Sequence, residues 1–197
     1  MILLNPPGSV TGPGSFKYLK QMQKNLIIFD GSNFYHGAKK LAPDIHLTSF
    51  NYRKLVECIT GNTDNKIQYC VGEIKRERDN PKSARMYAGQ QALFYNLEKQ
   101  NIAIKKGFML KTEGTYHEKG VDVRIAIDIL WGAFKNEYER CFIISSDTDI
   151  IPAIHDAMDL GKAVIYVGFE TFMSRALKAN CSDTFIITKD IMRRCAS

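Results

Sequence analysis

The stretch SSDTD at residues 145–149 sets two carboxylates, Asp147 and Asp149, one residue apart, just after the apolar run CFII and before IIPAIHDAM. DGSN at 30–33 places Asp30 and Asn33 behind the apolar run NLIIF, and KGVDVRIAIDIL brings Asp122 to the start of a helical pattern. Each piece has an ordinary explanation. Asp149 can cap the following helix, with Pro152 tolerated in its first turn, and Ser32 or Asn33 can cap the helix after NLIIF. One cap needs one acceptor, whereas SSDTD offers two carboxylates and three hydroxyls. Carboxylates crowded into one crevice repel, and one takes up a proton unless a cation shares the site. Oxygen-only ligands with open positions suit Mg²⁺ or Mn²⁺. Such ions activate water and stabilise a leaving oxygen, so a basic chain around an acidic pocket fits phosphodiester hydrolysis. At this point helix cap and metal site both stay open.

These groups depend on the elements that carry them. Candidate strands are NLIIF (25–29), KIQYCV (66–71), IAIKKGFML (102–110), CFIIS (141–145), AVIYV (163–167) and TFIIT (184–188). Several are continuously apolar, as in strands covered on both faces. Helical patterns near 34–41, 49–60, 82–100, 121–136, 150–160 and 171–179 separate them. The alternation predicts βαβ units and a three-layer α/β sandwich around a mainly parallel sheet. Ligands of such sheets bind at the carboxyl ends of the strands, where strand order reverses. Asp30 and the Asp147/Asp149 pair meet there only if the first and fourth strands are neighbours, which periodicity does not establish.

The 197 residues suit one such domain, and 45% hydrophobic with 24% charged residues is ordinary globular composition. Residues 1–24, with NPPGSVTGPGS, read as a flexible N-terminal segment, some of it readable as a cloning remnant; 25–197 read as the domain. A net charge of +6 permits a polyanionic partner without requiring one. Five cysteines, none in a CxxC pair, argue against a zinc knuckle and fit reduced thiols in a cytoplasmic protein. MILL is too short for a signal-peptide core, and no run approaches the roughly 20 apolar residues of a membrane span, so no membrane is expected.

FDGSNFY, KGVDVRIAIDIL and FIISSDTDIIPAIHDAMDLGKAVIYVG together resemble the three motif blocks of the NYN family, a PIN-like nuclease group, and SRALKANCSDTFIIT resembles its last helix and strand. The resemblance spans about residues 25–190 and rests on three blocks in the right order. It implies a PIN-like sheet of strand order 3-2-1-4-5, which would put the first and fourth strands side by side. It also implies metal-dependent ribonuclease chemistry on single-stranded or structured RNA, with Mg²⁺ or Mn²⁺ as cofactor. Carried over by motif position, Asp30, Asp122, Asp147 and Asp149 form the acidic and metal-binding set, with Asn33 and Ser146 as polar companions. Asp30 and Asp147 would ligate directly, and Asp122 and Asp149 would complete a second position or hold metal-bound waters. Asn33, being neutral, would orient a ligand or the scissile phosphate. Thr148 and Ile150 depart mildly from the family pattern without removing a carboxylate. PIN-like domains often pair, so the resemblance leaves a homodimer open.

Around this set, EIKRERDNPKSAR carries Lys75, Arg76, Arg78, Lys82 and Arg85, which read equally as a solvated face or as RNA contacts. Lys119, near Asp122, can meet a phosphate or flank the helix. Tyr35 and Tyr87 can stack on bases or pack. Asp128 is six residues beyond Asp122 and so turns about 120° away on a helix, which assigns it a structural role. Two other functions compete with the ribonuclease: a PIN-like module that binds RNA or protein without turnover, and a Toprim-type site pairing Glu73 with Asp147 and Asp149. The latter leaves Asp30 and Asp122 unexplained.

Overall fold

NLIIFD forms strand β1 (Asn25–Asp30), buried along its whole length because it lies mid-sheet beneath helices on both faces. The computed structural model describes residues 25–112 and 115–196, so the expectation for the N-terminal segment, residues 1–24, lies outside the described residues. β1 is flanked by two parallel neighbours, β2 (Asn65–Glu73) and β5 (Arg140–Ile144). Beyond β2 come β3 (Ala103–Thr112) and β4 (Thr115–Lys119); beyond β5 come β6 (Ala163–Phe169) and β7 (Asp183–Ile187). The sheet order is β4-β3-β2-β1-β5-β6-β7, parallel throughout except for the antiparallel β3–β4 hairpin.

Alternation along β1 divides the core. Ile27 and Phe29 face a layer built by α1 (Gly31–Leu41), α2 (Tyr52–Thr60), α3 (Pro81–Lys99) and α7 (Lys189–Cys195). Leu26 and Ile28 face α4 (Val121–Phe134), α5 (Ile151–Asp159) and α6 (Arg175–Asn180). Under α1 the first layer is aromatic: Phe29 meets Phe34 edge-on at 5.1 Å, and Tyr52 packs edge-on to Tyr69 at 5.8 Å. Edge-to-face pairs add roughly 0.5–1.5 kcal/mol each beyond their buried area. They also fix the loop they surround, since the Tyr69 hydroxyl donates to the Gly31 carbonyl at 3.3 Å, directly behind Asp30.

The three-layer α/β class holds, but the strand order differs from the expected 3-2-1-4-5. Among the described residues the sheet has seven strands, and β4 was passed over in the sequence. TYHEK is a polar edge strand with no apolar face to bury, so a search for apolar runs misses it. The inserted β4 raises the number of every later strand by one, and β7 extends the far edge. β1 and β5 do lie side by side, with Phe29 level with Ile144. Helix α7 was likewise unforeseen; Thr188 caps it by accepting from the Ile191 N–H at 3.3 Å. All five cysteines are unpaired thiols, and burial pushes the Cys70 thiol up to about 12. No helix of the described residues is long and apolar enough to cross a membrane.

Candidate active site

At the carboxyl end of β1, Asp30 leaves the strand and becomes the N-cap of α1, accepting the Asn33 N–H on Oδ1 at 3.1 Å. Its other oxygen, Oδ2, accepts Asn33 Nδ2 at 2.6 Å and the Ser145 hydroxyl at 2.8 Å. The carboxylate is only 2% exposed. Burial raises it above the ordinary carboxylate range, and the Glu118 charge adds to that, while the Asn33 and Ser145 hydrogen bonds oppose the rise. Three of its roughly four acceptor positions are thereby used, which leaves one for a further ligand.

Ser145 follows β5 and joins the two motifs. While donating to Asp30, its oxygen accepts the Asp147 N–H at 3.0 Å and so sets the SSDTD turn. The Ser146 hydroxyl donates to Asn33 Oδ1, so Asn33 bridges Asp30 and the SSDTD segment. Asp147 Oδ1 accepts the Asp149 N–H at 2.9 Å. Neither aspartate caps α5: its N-cap is Ile150, with no side-chain capping bond. The capping explanation of Asp149 is thus overturned, as is that of Ser32 or Asn33 for α1, where Asp30 caps.

Asp122 occupies the first turn of α4, after Gly120 at φ 79°, a left-handed turn that suits glycine. Burial first, then the charges of Asp147, Asp30 and Glu118, hold its carboxyl above the usual range. One field therefore joins four acids, and Glu118 was missing from the sequence reading. Glu118 lies in β4, paired with Met109 of β3, yet it reaches across the sheet. Its Oε2 accepts the Ser32 hydroxyl at 2.5 Å, and its Oε1 accepts the Gly72 N–H of β2. Glycines clear the way: Gly72 and Gly107 are paired in register. A Cβ on Gly72 would stand 2.9 Å from Glu118 Cγ, and one on Gly107 would stand 2.6 Å from the Lys119 carbonyl. The signal that could have found Glu118 is its position four residues before Asp122 in EKGVD, legible only once β4 is known to be a strand.

The remaining expected residues divide. Asp149 is exposed, and its carboxylate enters no described hydrogen bond or ion pair. Lys119 is exposed between Glu118 and Gly120. Lys75, Arg76 and Arg78 lie on the exposed loop after β2, and Arg85 is exposed on α3. Arg76 and Arg78 line a depression with Glu77 and Pro81, whereas Lys75 lines a separate groove. Tyr35 is 51% exposed, while Tyr87 is half-buried on α3. Asp128 pairs with Arg124 at 3.0 Å, the structural role expected of it. Glu73, the residue the Toprim-type reading needs, pairs with Lys106 at 2.6 Å on the β3 side.

No described ion pair involves Asp30, Glu118, Asp122 or Asp147. A set of hard oxygen donors with uncompensated charge matches Mg²⁺ or Mn²⁺ in chemistry. Among the described residues no three His, Cys, Asp or Glu side chains stand close enough to enclose an ion. That spacing is compatible with Mg²⁺, which is usually held by one or two carboxylates and keeps several waters.

The sequence profile of the NYN domain matches residues 24–189. No curated protein sequence matches the chain. Among solved structures, a protein of unknown function from Vibrio parahaemolyticus is similar over 85% of this chain and 94% of its own, at 18% identity and a TM-score of 0.63. At that identity the likeness shows the fold alone.

Proposed function

The chain belongs to the NYN domain family, a group of PIN-like nucleases, and from that premise we propose that it is a divalent-metal-dependent ribonuclease whose site is Asp30, Glu118, Asp122 and Asp147. The observation that carries the reading is the shared field of these four acids: burial and three neighbouring charges hold Asp122 high, and no described cation pairs with any of them. Asp30 and Asp147 would hold the ion directly, and Asp122 and Glu118 would complete its surroundings. Bound Mg²⁺ or Mn²⁺ would supply charge stabilisation and an activated water. Ser145 fixes Asp30 and the SSDTD turn in one geometry, so neither carboxylate must be ordered when substrate arrives. Asn33, held between Asp30 and Ser146, is a positioning residue for both. Lys119 offers a cation at the border of the acids, suited to a phosphate oxygen. Asp149 takes a part only through its N–H on Asp147. Unpaired thiols fit a cytoplasmic setting.

The test is cleavage of labelled single-stranded RNA with Mn²⁺, Mg²⁺ or EDTA, beside Asp147→Asn. Metal-dependent cutting that falls about a thousandfold in the variant is expected, in line with the several kcal/mol a metal site contributes. RNA binding with no cutting by the unsubstituted protein would replace this reading with a non-catalytic binding module.

A further inference from the structure

Beside the acids, the loop after β2 and the β3–β4 hairpin enclose a mostly apolar groove of about 440 Å³. Ile74, Met86, Met109 and Tyr116 form its apolar lining, and Lys75 and Lys82 stand on it. The groove adjoins the acidic cluster through Met109, the register partner of Glu118. A Cβ on Gly72 would meet Met109 Sδ and Glu118 Cγ, both at 2.9 Å, so the two side chains lie over the same backbone position.

The groove is held open by one carboxylate. Glu77 accepts from Lys111 at 2.5 Å, from Asn80 at 2.7 Å and from the Tyr116 hydroxyl. These bonds tie the loop to the hairpin and fix the Tyr116 ring by its far end. They also hold Glu77 ionised, its carboxyl falling to about 2 through the Lys111, Tyr116 and Asn80 hydrogen bonds, with the Lys111 ammonium balancing the charge. Lys75 and Lys82 take part in no described ion pair. The outcome is a fixed aromatic edge and two adaptable thioethers under two unpaired ammonium groups.

We propose that this groove seats an unpaired base of single-stranded RNA next to the cleaved phosphate, with Lys75 and Lys82 on the backbone of that nucleotide. The proposal rests on the ribonuclease reading and adds a subsite to it. Charge selects a polyanion, and the apolar lining selects a base, which only an unstacked strand can present. Methionine sulfur and an anchored phenol suit any base, so strand state rather than sequence is the property read.

Binding is measured by anisotropy of a fluorescein-labelled 12-nucleotide RNA in EDTA, where turnover is absent, and cleavage is measured separately with Mn²⁺. Met86→Ala, at a side chain 51% exposed, is expected to weaken binding about tenfold with the salt dependence unchanged, within the range of one lost base contact. Lys82→Glu is expected to weaken it and to lower the slope against log salt by about one or more. The same RNA annealed to its complement should compete poorly. Binding through the groove without cleavage by the unsubstituted protein would keep the subsite and remove the nuclease. Cleavage with both groove variants binding and cutting normally would overturn the subsite and leave the nuclease intact. Equal binding of duplex, or no RNA binding at all, also overturns it and gives the groove to a protein segment.

Discussion

Two groups of acids lie along the same edge of the sheet and are treated in opposite ways. Glu77 is half-buried and surrounded by donors, and its carboxyl drops to about 2. Asp122, in the first turn of α4, rises because burial and three other carboxylates disfavour its charge. The first arrangement ties a loop to a hairpin. The second has no described ion pair on any of its four carboxylates. Uncompensated charge is costly to a folded protein, and a cluster of this kind is what the proposed divalent cation would offset.

The contrast is broken most sharply at Asp30. Asp30→Ala should remove cleavage by about a thousandfold or more, and should also destabilise the fold by about 1–3 kcal/mol. It deletes the cap of α1 and strands the Ser145 and Asn33 donors. Urea denaturation beside the cleavage assay reads both. Glu77→Ala removes a carboxylate with just as many hydrogen bonds, yet it should leave cleavage of short RNA within about tenfold, the cost of one weakened subsite.

A smaller effect is expected at Glu118. Glu118→Gln removes a charge but keeps an oxygen toward Ser32 or Gly72, so the fold should be retained. Metal affinity, read by Mn²⁺ titration, should fall about tenfold to a hundredfold, as for groups that orient a metal site. Unchanged Mn²⁺ affinity would show that Glu118 belongs to the hairpin's packing and not to the acidic cluster.

The smallest effects are those of pH on stability, and their signs are opposite. The folded-state value of Asp122 lies above its ordinary 3.8, so the folded protein is favoured below that value and the advantage is lost as pH rises through the folded value. Asp122→Asn in EDTA should therefore raise the melting temperature at neutral pH, with the gain vanishing in acid. Glu77, with a folded value of about 2 against an ordinary 4.5, contributes stability above 4.5 that is lost as pH falls toward 2. Glu77→Gln should lower the melting temperature at neutral pH and close the gap in acid. Melting curves at pH 3 and pH 7 compare the two directly; matching signs would mean that the two acids are not held in opposite environments.

Most of the proposed site was legible in the chain because strand-then-polar is a local pattern. NLIIF followed by DGSN, and CFII followed by SSDTD, each put acids at a strand end whatever the rest of the fold does. The elements that escaped were those without an apolar run. TYHEK, with its Glu118, is a polar edge strand, and KDIMRRC is a short helix lying on α2. Asp149 entered by its motif position, and the turn built on Ser145 and Asp147 leaves it exposed, with its N–H on Asp147.

The sequence by itself determined the α/β class and the strands that form the centre of the sheet, and it put Asp30 and Asp147 forward as candidates, because hydrophobic period and strand-end chemistry are written within a few residues of each other. The family resemblance supplied the order in which two of those strands meet. Only the tertiary structure decided that Glu118 crosses from the β4 edge to Ser32 and Gly72, that Ser145 and not a cap organises SSDTD, and that a groove opens beside the acids. Each of these depends on pairs far apart in the chain, Ser32 with Glu118 and Asp30 with Ser145, brought together by strand register and by two facing glycines that let a side chain lie across the sheet.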